Sequence, residues 1–140
     1  MLKTKLIHPD ILRSLAAAGH GSKVLIADGN YPFTTATNSV ADLVFLNLAP
    51  GIVKVTEVLD VILSAIPVEA AHVMRPDEGG EPPIFSEFRA LLGGDVPLQP
   101  LGRHDFYDAA KGSDLALAVA TGDQRWYANI LLTIGAVSER

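Results

Sequence analysis

Apolar residues along the chain recur at two spacings, one helical and one strand-like, and the switches between them mark out the elements. From Pro9 to Ala18 they return at Ile11, Leu12, Leu15 and Ala18, one face of a helix that Pro9 can open and Gly19 can end. Lys23 to Ala27 (KVLIA) and Ala41 to Leu48 (ADLVFLNL) are short apolar runs with β-branched character and predict strands of a largely buried sheet. The segment between them, DGNYPFTTATNS, is rich in turn formers and predicts a long loop, a length more often functional than idle in a compact domain. After Pro50-Gly51, the residues Val55, Val58, Leu59, Ile62, Leu63 and Ile66 define the clearest amphipathic helix, closed by Pro67. Val68 to Met74 predicts a strand, RPDEGGEPP a polar connection, and Ile84 to Leu92 a helix before Gly93-Gly94. Pro97 to Leu101 is ambiguous. Arg103 to Lys111 predicts a short helix, Leu115 to Ala120 and Ile130 to Ile134 strands, and TGDQRWYAN the turn between them. Helices alternating with apolar strands make this an α/β domain with helices covering a sheet, whose strand order the pattern leaves open.

Composition narrows the function classes. The chain has 140 residues, 49% hydrophobic and 19% charged, enough apolar side chain for one folded core and too little length for two. Its longest uninterrupted apolar stretch, Leu115 to Ala120, is far short of the roughly 20 residues a bilayer helix needs, and MLKTKLIHPD lacks a signal-peptide core, so a soluble cytoplasmic protein with no membrane partner is expected. The absence of cysteine removes disulfides, thiol nucleophiles and thiolate metal sites. A formal charge of −5 with no basic run argues against a nucleic-acid partner. A mean hydropathy of +0.28 in so short a chain hints that some apolar surface is buried against other subunits.

Candidate chemistry gathers at four places. His20 stands between two glycines in AAAGHGSK, where its imidazole is reachable and the helix end favours its protonated form; a solvent-exposed histidine at a helix C-terminus is the competing reading. Asp28 closes the KVLIA strand, where α/β sheets present polar groups to ligands, and a turn-forming aspartate explains it nearly as well. In GRHDFYDAA, Arg103 offers a rigid fork of donors for neighbouring hydroxyls, with His104, Asp105 and Asp108 on the polar side of a short helix; a solvated helix start is the alternative. In TGDQRWYAN, Trp126, Tyr127 and the Asn129 amide suit a polyol, or simply pack a loop. His72 reads as a hydrogen-bonded sheet histidine and His8 as a helix-opening residue. No dinucleotide or phosphate-binding glycine motif follows a strand and no HExxH occurs, so no cofactor and no metal are expected.

The opening helix followed by GHGSKVLIADGNYP, then RHDFY, then TGDQRWYANILLTIGA, resembles the RbsD/FucU family of ribose pyranases and fucose mutarotases over nearly the whole chain. The resemblance implies a cofactor-free isomerase that equilibrates the anomers or ring forms of a free monosaccharide. It also implies a three-layer α/β/α sandwich over residues 1–140, with a central sheet, assembling into pentameric rings paired as decamers. His20 then matches the family's proton-donating histidine, Asp28 its sugar-binding aspartate, and Tyr127 and Asn129 its Y-x-N pair. Arg103 falls where fucose-type members carry arginine and ribose-type members histidine. GHG also resembles the fucose branch, whereas GNYP after Asp28 departs from the His-Phe-Pro arrangement common there.

A cyclic sugar opens when its anomeric hydroxyl loses a proton and its ring oxygen gains one, and histidine suits the transfer because it titrates near neutrality. The resemblance gives His20 the role of general acid. Asp28 and Tyr127 would orient sugar or assist proton transfer, and Arg103 and Asn129 would fix hydroxyls. The expected function is therefore a fucose-type mutarotase; a ribose pyranase and a non-catalytic sugar-binding accessory protein are the alternatives. One spacing bears on assembly: eight extended residues from His20 to Asp28 span about 26 Å, more than one monosaccharide, so a complete site is expected between subunits.

Overall fold

The computed structural model describes residues 1–139. Ten elements follow one another: α1 (Pro9–Ala17), β1 (Lys23–Ala27), β2 (Asp42–Phe45), α2 (Val55–Leu63), β3 (Val68–Met74), α3 (Ile84–Leu92), β4 (Leu98–Leu101), α4 (Arg103–Ala110), β5 (Leu115–Ala120) and β6 (Ile130–Ile134). The strands form one sheet in the order β2-β5-β1-β6-β3-β4. β1 pairs in parallel with β5, β5 with β2, and β3 with β4, whereas β6 runs antiparallel to both β1 and β3. Five strands therefore share one direction, and their carboxyl ends meet the amino end of β6 along a single edge.

Strand periodicity sorts the core into two layers. Val24 and Ile26 of β1, Leu117 and Val119 of β5, and Ile130 and Leu132 of β6 join the apolar faces of α1, α2 and α3, including Ile11, Leu59, Ile62 and Phe88. The alternate residues Leu25, Ala118 and Leu131 face Phe106 and Ala110 of α4. Three helices cover one side and α4 covers part of the other, a mixed α/β fold with a central six-stranded sheet and four helices. The segment 28–41 completes the thinner layer. It is a loop as the sequence predicts, yet it buries Tyr31, Phe33 and Ala36, with the Tyr31 hydroxyl donating to Ala36 O at 2.8 Å.

The boundaries shift in three places. The strand expected over Ala41 to Leu48 is only Asp42–Phe45, because β5, its sole neighbour, ends at Ala120 and the chain then turns through a bridge between Ala49 and Ile52. The helix expected to reach Ile66 ends at Leu63 and finishes in turns. The ambiguous stretch before Leu101 is the edge strand β4, where Pro100 is tolerated. β2 leaves Leu43, Phe45 and, just beyond it, Leu48 exposed.

Gly122, two residues past the end of β5, has no room for a side chain: an added Cβ would collide with the backbone carbonyl oxygens of Ala49 and Ile52. The bridge 49–52 is locked onto it by hydrogen bonds from Gly51 N to Gly122 O and from Gly122 N to Val53 O at 3.1 Å. This closeness fixes where the following residues, 123–129, begin.

Candidate functional site

Open α/β sheets bind ligands outside the carboxyl ends of their strands, and here that edge holds a pocket of about 210 Å³. It is lined by Asp28 after β1, Met74 at the end of β3, Arg103 and Tyr107 of α4, and Trp126, Tyr127 and Asn129 before β6, with Asn30 and Tyr31 from the loop. The volume lies below the roughly 300–1,000 Å³ of drug-sized sites, which favours one small polar molecule over a dinucleotide.

The pocket floor is a reciprocal pair. Asn129 Nδ2 donates to Asp28 Oδ2 at 3.0 Å, and Asp28 N donates to Asn129 Oδ1 at 2.8 Å. Asn30 N donates to Asp28 Oδ1 at 2.9 Å. Asp28 is 7% and Asn129 4% exposed. Burial raises the Asp28 carboxyl above the usual aspartate value, against the lowering effect of the bonds from Asn30 and Asn129. A carboxyl so placed accepts a proton more readily than an exposed one. Each amide hydrogen of Asn129 has its own direction, so one holds Asp28 and the second is left for a ligand.

Tyr127 is the one described non-glycine residue with positive φ, at 60°. That conformation is costly for a bulky side chain and persists when the surroundings over-determine it. They do so through Asp123 and Arg125. Asp123 is 2% exposed; its Oδ2 accepts from Val55 N at 2.9 Å and so caps α2. Arg125 grips the same carboxylate through Nε at 3.0 Å and Nη2 at 2.7 Å, and reaches Glu87 of α3 at 2.7 Å and Thr56 of α2 at 3.1 Å. Burial pushes the Asp123 carboxyl up, but the Arg125 bonds and the Val55 N–H outweigh it and leave the group below the usual range. The segment 123–127 is thus pinned to two helices, and the Tyr127 ring is presented from a fixed turn.

Four of the five residues picked from sequence, Asp28, Arg103, Tyr127 and Asn129, line this pocket together. His20 does not. It precedes β1 and lies at the opposite end of the strand, where Gly21 N donates to Ile134 O at 2.9 Å and His20 Nε2 meets Glu69 Oε2 at 2.8 Å. The five residues of β1 alone separate the two ends by roughly 17 Å. The local geometry also differs from expectation. α1 ends at Ala17, Ala18 is extended, and the left-handed residue is Gly21 at φ 86°, so a glutamate rather than the helix end is the negative group beside the imidazole.

In α4, His104, Asp105 and Asp108 are exposed and outside the pocket, whereas Tyr107 lines it with Arg103. Their i, i+4 spacing was the available signal for Tyr107. His8 caps α1, accepting from Ile11 N at 3.3 Å. His72 is half-buried on β3, and burial followed by the nearby Lys23 lowers its pKa against the raising effect of a hydrogen bond with Gln99. The Asp123–Arg125 clamp was missed because its partners Thr56 and Glu87 are remote in sequence. Among the described residues no group of three or more His, Asp or Glu side chains is arranged around a metal-sized space, and no helix is long and apolar enough to cross a membrane.

Known proteins resemble the chain along its whole length. It is 31% identical to a fucose mutarotase of Danio rerio, covering 94% of this chain and 90% of the relative. It is 32% identical to a D-ribose pyranase of Variovorax paradoxus (strain S110), covering 96% and 98%. The crystal structure of the fucose mutarotase in complex with L-fucose from Streptococcus pneumoniae superposes with a TM-score of 0.81 at 30% identity, covering 99% of this chain and all of the other. With residues 1–137 matched by the family's model as well, the chain belongs to the RbsD / FucU transport protein family.

Proposed function

We propose that this protein is a monosaccharide mutarotase that interconverts the anomers of a free, fucose-like sugar by acid–base ring opening and closure. The observation carrying this reading is the convergence of Asp28, Arg103, Tyr127 and Asn129 on one small pocket at the carboxyl edge of the sheet. A sugar there meets an aspartate carboxyl, a guanidinium fork, an amide with a hydrogen to spare and a phenol that makes no hydrogen bond among the described residues. D-ribose pyranase chemistry is the second reading, because relatives of both names match at nearly equal identity.

Ring opening needs a base at the anomeric hydroxyl and an acid at the ring oxygen. Asp28, with its raised pKa, or Tyr127 serves the hydroxyl, and Arg103 and Asn129 hold the remaining hydroxyls so that reclosure follows rotation about one bond. The acid is His20. Because the His20 of a given chain lies at the far end of β1 from its own pocket, the histidine that completes each pocket comes from a neighbouring copy. The working enzyme is accordingly a homo-oligomer, a decamer of two pentameric rings with sites at subunit interfaces, acting in the cytoplasm without a cofactor.

Magnetisation-exchange NMR of the anomeric protons of L-fucose and D-ribose tests the reading. Wild-type protein accelerates exchange, and His20→Ala lowers turnover by about 10²–10⁴ while sugar binding changes little. Co-assembly of His20→Ala with Asp28→Asn chains restores exchange that neither variant has alone. A folded wild-type protein that accelerates neither sugar overturns the reading, and co-assembly without recovery overturns the shared site.

A further inference from the structure

A second, larger cavity of about 610 Å³ adjoins the sugar pocket, and Trp126 and Tyr127 line both. Pro76, Pro82, Pro83, Ile84 and Trp126 line it together with Glu78 and Gly80. In the single chain Trp126 is 78% exposed, an unusual setting for so large an apolar ring on a segment otherwise pinned by Arg125. The neighbouring acidic groups Glu81 and Glu87 are engaged by Arg89 and Arg125, whereas Glu78 makes no ion pair and no side-chain hydrogen bond among the described residues. An exposed indole on a pinned backbone segment beside a polar pocket, sharing one cavity with three prolines and a free carboxylate, is a platform for a ring with an apolar face and hydroxyl edges.

We infer that this cavity is a second saccharide subsite, which holds a glycosyl residue attached to the sugar whose anomeric centre reacts, so that the enzyme also equilibrates reducing disaccharides. The inference rests on the mutarotase reading and extends the substrate class of the same site. The inner pocket takes the reducing ring. The outer ring stacks on Trp126 and donates a hydroxyl to Glu78. The chemistry is unchanged: the anomeric O–H loses its proton, the bond from the anomeric carbon to the ring oxygen breaks, the ring oxygen gains a proton, and reclosure reverses both transfers. The glycosidic bond stays intact.

Gly80 supplies a selective obstruction, since a Cβ added there meets nothing within 4 Å and its φ is not in the left-handed range. Gly80→Trp places bulk in the outer cavity without touching the inner one, and Glu78→Gln removes only the free carboxylate. Anomeric exchange is measured for L-fucose and D-ribose, for the 3-O- and 4-O-β-galactosyl derivatives of L-fucose and for the 3-O-β-galactosyl derivative of D-ribose. The expected result is acceleration of at least one disaccharide, a loss of about tenfold in its kcat/KM in Gly80→Trp, and a raised KM with nearly constant kcat in Glu78→Gln. Exchange of the monosaccharide stays within about twofold in both variants. Acceleration of monosaccharides alone overturns the subsite and leaves the mutarotase reading standing. Acceleration of disaccharides that neither variant alters also overturns it, since the second ring then lies in solvent. Failure with every sugar removes the mutarotase reading and the subsite with it.

Discussion

Replacing Asn129 by Asp converts the pair at the pocket floor into two facing carboxyls, and the structure fixes the size of the effect. Asn129 Nδ2 lies 3.0 Å from Asp28 Oδ2, and both residues are buried. The substitution keeps the side-chain shape, removes the donor and places an oxygen where a nitrogen stood. Two unit charges at that separation repel by about 5 kcal/mol at an effective dielectric of about 20. The lost hydrogen bond to a charged group adds about 1.5–3 kcal/mol. Paired carboxyls avoid the repulsion by retaining one shared proton, and about 5 kcal/mol corresponds to a rise of nearly four pKa units for the pair. The unfolded chain, where aspartates titrate near 3.9, has already released that proton at about pH 5. The folded variant therefore binds more protons than its unfolded form, and its stability falls as pH rises. Wild-type Asp28, raised by burial, contributes a smaller slope of the same sign, so the comparison is made between the two proteins at each pH. Urea unfolding should show the deficit of Asn129→Asp widening by about 2.5 kcal/mol between about pH 5 and about pH 7. A deficit independent of pH would mean that the two groups do not share a dry, close contact, and the account of the pocket floor would be wrong.

Two further substitutions probe the scaffold beneath the pocket. Gly122→Ala forces a methyl group against the Ala49 and Ile52 carbonyl oxygens and strains the hydrogen bonds of Gly122 with Gly51 and Val53; a loss of about 3 kcal/mol or more in urea unfolding is expected, and a loss below about 1 kcal/mol would contradict the close approach. Arg125→Ala leaves the Asp123 carboxylate buried with only N–H donors, costing about 2–3 kcal/mol near neutral pH. Because the Asp123 pKa is lowered in the folded protein, that contribution is present above the unfolded value near 3.9 and fades as pH drops through the folded one, so the two proteins should converge in acid; a constant gap would refute the clamp.

The elements were legible wherever their residues bury one face. Ile11 and Leu15, or Val58, Leu59 and Ile62, lie on a buried stripe, and the 3.6-residue period announces it. KVLIA and LALAVA were readable because central strands are apolar on both faces. β4 was ambiguous because an edge strand with a proline carries a weak pattern, and the extent of β2 depends on where β5 ends, which no local signal reports. At the site, the pocket residues Asp28, Arg103, Tyr127 and Asn129 were each readable as polar groups beside breakers, but their convergence follows from strand order, which local patterning does not encode. The hydrogen bond of His20 with Glu69 and the grip of Arg125 on Glu87 and Thr56 join residues 49, 38 and 69 positions apart, beyond the reach of any motif.

The reversed direction of β6 has a mechanical consequence. Its first residue follows Asn129 in the pocket, and at its last residue Ile134 exchanges hydrogen bonds with Gly21 and Ser22 beside the exposed imidazole. One short strand is thus a ruler with a pocket-lining amide at one tip and a histidine-bearing turn at the other. Deleting a single residue from it would turn Leu131 toward the wrong layer and shorten the span between the tips, pulling the pocket floor and the His20 turn out of their present register.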